Sequence, residues 1–108
     1  MTGIIYCINN FEGMRLLKEI VGDAVLNGCK HTSFVKSKNK TFVEFENGDI
    51  WYLLPVSHSA RGYRWDYCLI DSNIPQEVIE ERILSKARAS HWDSPEAQIP
   101  IERRVGYF

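Results

Sequence analysis

This chain of 108 residues is as informative for what it lacks as for what it holds. No apolar run approaches the roughly 20 residues needed to span a bilayer. Its start, Met1-Thr2-Gly3-Ile4-Ile5, has neither a basic region nor a long apolar stretch, so a signal peptide is not expected. Only three cysteines occur, Cys7, Cys29 and Cys68, and no pair has the short spacing of a metal knuckle. Two of them fall in apolar runs, where a free thiol behaves as a small hydrophobe. A reduced, cytoplasmic setting is the expectation. No glycine-rich phosphate loop with its Lys-Ser/Thr pair is present. A net charge of −1 argues against nucleic-acid binding by bulk electrostatics, while leaving a local basic patch open.

Apolar residues make up 44% and charged residues 25%, the balance of an ordinary globular domain. Residues 3–8 form a nearly continuous β-branched and aromatic run, which predicts a buried strand. Asn9 and Glu12 have capping-box spacing. Met14, Leu17, Ile20, Val21, Ala24 and Val25 then recur at helical spacing, predicting a helix over 11–27 that Gly28 stops. Residues 32–36, 41–45 and 50–54 read as an antiparallel meander, with Asn47-Gly48 as its hairpin turn because both tolerate positive φ. Residues 66–71 predict a second buried strand. Asn73 and Gln76 offer a capping pair for a further helix, with Ile79, Ile83, Leu84 and Ala87 on its buried face and Pro75 in its first turn. Pro95 and Pro100 break any long element after Ser90.

The expected fold is therefore α/β or α+β: one mixed sheet of about five strands with two main helices. Residues 3–8 and 66–71 are its natural central strands. Residues 1–90 would form the domain, and residues 91–108 a tail packing on it or on a partner.

The most informative stretch is Asn47-Gly48 with Ile50, Leu53, Leu54 and Pro55, then Ser59, Arg61, Gly62, Arg64, Asp66, Ile70 and Asp71. It resembles the Walker-B half of the ATPase core of the large terminase subunit, the motor that packages DNA in tailed bacteriophages. The family pattern there reads NGS-I-x-x-LP and S-x-RG-x-R-x-D-x-x-I-x-DE. Ile74, Pro75 and Glu77 resemble what commonly follows, and the specific likeness covers about thirty residues. The resemblance implies a reduced terminase-like core in which Asp71 matches an Asp that helps to hold Mg²⁺. The next family residue is a Glu that activates water, and here it is Ser72. A hydroxyl of ordinary pKa is a poor base near neutrality. Without a phosphate loop, a triphosphate also lacks its N–H cradle and lysine. ATP hydrolysis by this chain alone is not expected, and no cofactor or metal is assigned.

Each candidate residue has a plainer reading beside the functional one. Asp71, with Asp66 or Glu77, could take a divalent ion, or it could simply accept hydrogen bonds from the turn that follows. One carboxylate rarely holds Mg²⁺ without phosphate oxygens to complete the shell. Arg61, Gly62 and Arg64, with the loop 57–63, are candidates to bind an anion or a partner. Arg64 and Asp66 also have the spacing of strand neighbours on one face, which suits an internal ion pair. His58 beside Ser57 and Ser59 invites a nucleophile–base reading, but adjacent side chains in a loop seldom present the geometry it requires. His31, His58 and His91 are too scattered for a zinc site.

Lys30, Lys36, Lys38 and Lys40 form a basic ridge that could touch nucleic acid or protect a sheet edge. Tyr63, Trp65, Trp92, Arg103, Arg104, Tyr107 and Phe108 are interface candidates, since Trp, Tyr and Arg concentrate binding energy. The expectation is a non-catalytic phage or prophage protein that binds a protein partner, with homodimerisation as an option and no membrane. The alternative is an accessory nucleotide- or nucleic-acid-binding component of a packaging motor.

Overall fold

A run such as Gly3-Ile4-Ile5-Tyr6-Cys7, with no polar residue, can only sit where both faces of a strand are covered. The computed structural model, which describes residues 1–36, 41–55, 65–84, 100 and 103–108, places it there. Strand β1 (Thr2–Cys7) is buried from its second residue onward and lies inside a single mixed sheet of six strands. The sheet also contains β2 (His31–Lys36), β3 (Thr41–Phe45), β4 (Ile50–Pro55), β5 (Tyr67–Ile70) and β6 (Val105–Tyr107). Their order is β2-β3-β4-β1-β5-β6. β1 pairs in parallel with both β4 and β5, β6 pairs in parallel with β5, and β3 runs antiparallel to its neighbours β2 and β4.

The two faces of the sheet carry different helices. α1 (Asn10–Leu26) covers one face, where Leu17 packs with Ile5, Cys7, Val43, Phe45 and Leu53. The short helix α2 (Gln76–Val78) runs on as a π-helical stretch (Ile79–Ile83) and covers the other. There Ile74, Ile79 and Ile83 pack against Ile4, Tyr6, Leu54, Cys68 and Ile70. A helical segment this short has no stability of its own. Its two buried isoleucines, Ile79 and Ile83, hold it, each contributing about 1.5–3 kcal/mol, and Ile74 in the preceding turn joins the same cluster. The indole N–H of Trp65 also donates to the Ile83 carbonyl at 2.8 Å.

Local sequence explains the ends of the elements. The Asn9 side chain accepts the Phe11 N–H at 2.9 Å and starts α1. The predicted reciprocal contact from Glu12 is not the one made, because its carboxylate pairs with Arg15 at 2.9 Å. Gly28, at φ +82°, ends the helix. The Cys29 N–H returns to the Ala24 carbonyl and the Gly28 N–H to that of Val25, a Schellman closure. The hairpin at Asn47-Gly48 forms, but only Gly48 takes positive φ. Gly48 N–H closes a turn on Phe45, and Phe45 N–H then bonds the Asp49 carbonyl, so the loop has three residues rather than two.

Two further expectations are revised. The sheet has six strands, not about five, because the tail supplies β6. The second helix starts at Gln76 behind Pro75 without a side-chain cap, so the Asn73–Gln76 pair does not form. Asn73 instead gives its N–H to Asp71, a nearer and charged acceptor. Ala87 lies outside the described residues. Among the described residues, no helix is long and apolar enough to cross a membrane.

Candidate functional site

β1 and β5 are adjacent and parallel, yet the helices that follow them lie on opposite faces of the sheet. That reversal opens a crevice beyond the carboxyl ends of the two strands, the place where open α/β sheets bind ligands. The sequence fills it with Cys7, Ile8, Asn9 and Asn10 from the β1–α1 turn and with Asp71, Ser72 and Asn73 from the end of β5.

Asp71 continues the ladder, its N–H donating to the Tyr6 carbonyl at 2.9 Å. Its side chain is buried. Oδ1 accepts the Asn73 N–H at 2.9 Å, and Oδ2 accepts the Ile8 N–H at 3.3 Å. The carboxylate thus ties the turn after β5 to the turn after β1. The bond from Asn73 is the kind the plainer reading of Asp71 expected from the turn that follows. Among the described residues, no group of three or more His, Cys, Asp or Glu side chains is placed to hold a metal ion.

Cys7 lies at the same corner. Its Sγ is 3.8 Å from Asn10 Oδ1 and 3.9 Å from the Leu54 carbonyl. Burial and then the Asp71 carboxylate push its thiol up to about 11. A thiol so protonated is a poor nucleophile near neutrality. Cys68, mid-strand in β5, is pushed up by burial alone.

The remaining predicted residues separate into inside and outside. Trp65 and Arg104 are interior: they are 1% and 4% exposed, and the Arg104 guanidinium stands over the Trp65 ring, 5.8 Å from its centroid. Arg104 Nη1 also donates to the Asp66 carbonyl at 3.3 Å. Asp66 itself is buried, with Oδ2 accepting the Thr2 N–H at 2.7 Å. These side chains serve the fold, anchoring the tail beside β5. Arg103 is exposed, and Phe108 packs partly against the α1-side core. Tyr107, 55% exposed, projects from the end of β6. Arg61, Gly62, Tyr63, Arg64 and Trp92 lie outside the described residues.

The topology brings distant candidates to one edge. Phe108 N–H bonds the Ile70 carbonyl and Ser72 N–H bonds that of Phe108, so the tail finishes beside Asp71. The same edge exposes two apolar side chains: Ile8, expected in the buried strand but 50% exposed just beyond the end of β1, and Phe11, 75% exposed in the first turn of α1. Phe11 precedes Leu17 by six residues, which at about 100° per residue turns it some 120° off the buried stripe. That offset was the available signal.

No protein-family profile, curated protein or solved structure matches this chain.

Proposed function

We propose that this chain is a non-catalytic binding protein of phage or prophage origin, acting through a protein partner that docks on the carboxyl edge of its sheet. The observation that supports this most is the gathering of exposed Ile8, Phe11 and Tyr107 at the edge where Asp71 is already engaged by two backbone N–H groups. Exposed large apolar side chains beside a built turn are the anchors that interfaces use. Arg61, Gly62 and Arg64 are further partner candidates from the sequence alone, whereas Arg103 precedes β6 at the amino end of the sheet and is not part of this edge. Phage origin rests on the resemblance of residues 47–55 and 59–71 to the terminase core.

A second reading, an accessory nucleotide- or nucleic-acid-binding component of a packaging motor, draws on the crevice itself. Its place at a topological switch point is where such ligands sit in open sheets.

Affinity capture of the tagged chain from its natural host, with and without phage infection, tests the first reading. The expected result is one stoichiometric protein, lost on Phe11→Asp or Arg61→Ala while the variant stays folded. Recovery of the chain alone, or with nucleotide or nucleic acid only, defeats it. A titration with Mg²⁺ and ATP that shifts the amide resonances around Asp71 would turn attention to the second reading.

A further inference from the structure

The far side of the sheet from the tail carries a second surface. β2 ends the sheet, and among the described residues no strand pairs with its outer side. All of its residues except Phe34 are exposed. Its pairing with β3 shifts register between His31 and Ser33, and the Thr32 hydroxyl there donates to the Glu44 carbonyl at 3.2 Å. Beyond this irregularity, Ser33 to Lys36 pair one for one with β3, leaving a regular outer row of backbone groups. Such a row is a template for another extended chain.

The charges at its two ends decide which chain. Lys30 precedes β2 and Lys36 ends it, both exposed. A second copy paired antiparallel would bring Lys36 of each chain towards His31 and Lys30 of the other. A parallel copy would set like residues side by side. Like charges on directly opposed strands are destabilising. The lysines that keep identical edges apart are complementary to an acidic strand. Glu44 lies one strand further in, on β3, and Glu46, in the turn after β3, accepts the Lys30 N–H on Oε1 at 3.1 Å. A row of backbone donors and acceptors suits a peptide, whereas nucleic acid would use the lysines alone.

We propose that the free edge of β2 docks an extended acidic peptide segment, which adds to the sheet as a seventh strand between the lysine-bearing ends. This surface is separate from the carboxyl edge, and its failure would leave the reading of that edge intact.

The probe is a capped, fluorescein-labelled decapeptide of alternating valine and threonine with two glutamates at each end. Binding is read by anisotropy and by amide shifts in the full-length protein. The expected result is saturable binding with the largest shifts on Ser33 to Lys36. Methylating the peptide's alternate amide nitrogens should abolish it. Combining Lys30→Glu with Lys36→Glu should weaken it about tenfold, with an unchanged circular dichroism spectrum. The proposal is overturned if about millimolar peptide leaves those amides unshifted, or if a version with lysine ends binds equally well. It is also overturned if a short DNA duplex displaces the peptide and shifts the same amides more strongly, which would assign the edge to nucleic acid.

Discussion

The carboxylate of Asp71 accepts the backbone N–H of Ile8 across 63 residues of chain, at 3.3 Å. The same carboxylate accepts the Asn73 N–H at 2.9 Å, so one side chain fixes the turns after both central strands. Replacing it by Ala leaves two amide donors without their acceptor. Asp71→Ala should therefore lower the unfolding free energy by about 2 kcal/mol in urea denaturation. Asp71→Asn should cost less, because its one amide oxygen can keep one of the two bonds. An unchanged midpoint for Asp71→Ala would show that the clamp is not structural.

Gly13 faces the sheet from the first turns of α1 at a point of close approach. A Cβ there would fall onto Leu53 Cδ1 and lie 2.8 Å from Cys7 Sγ. On propensity alone, Gly→Ala in a helix gains roughly 1 kcal/mol. Overpacking a formed core costs about 1–3 kcal/mol. Gly13→Ala should thus be net destabilising, by about 1 kcal/mol in chemical denaturation. Gly22, with open space around it, is the control that should show the propensity gain.

How far the fold could be read beforehand follows from how local each cause is. Five of the strands and α1 were legible because period, caps and turn residues sit within a few positions of one another. Leu17 and the Gly28 closure are examples. The sixth strand was not, since Val105-Gly106-Tyr107 is too short to show a period and its cause is the edge of β5. Asp71 was legible as a strand-end carboxylate, but its partner at Ile8 depends on the parallel pairing of β1 with β5. Trp65 and Arg104 have the composition of an interface and lie inside the fold, because composition does not say which side of the surface a residue takes. Val25 shared the helical period with the core, yet it is 52% exposed where α1 runs out over its last turn.

Adjacent arginines in the tail should behave very differently. Arg104 is interior, over the Trp65 ring and bonded to the Asp66 carbonyl, whereas Arg103 is exposed. Arg104→Ala removes a charge-assisted hydrogen bond, a cation–π contact and buried aliphatic packing. It should cost about 2–3 kcal/mol. Arg103→Ala should stay within about 0.5 kcal/mol of the parent. Thermal denaturation of the two variants side by side makes the comparison. Equal midpoints would mean that the tail is not held through Arg104.

The thiol of Cys7 links the crevice to pH. In the folded chain it is pushed up to about 11 from the ordinary 9.0, first by burial and then by the Asp71 carboxylate. The folded state therefore keeps this proton at pH values where the unfolded chain has released it. The stabilisation is full below pH 9 and is lost as pH rises from 9 through 11. Its size is on the order of 2 kcal/mol. Alkylation by iodoacetamide, followed residue by residue with mass spectrometry, reads the same quantity. Half-buried Cys29 should label first, while Cys7 should reach half its maximal rate near pH 11. In Asp71→Asn the carboxylate's share is gone, so the Cys7 midpoint should move down towards 9. A midpoint that stays put in that variant would mean that burial alone sets the thiol and that Asp71 and Cys7 are electrostatically independent.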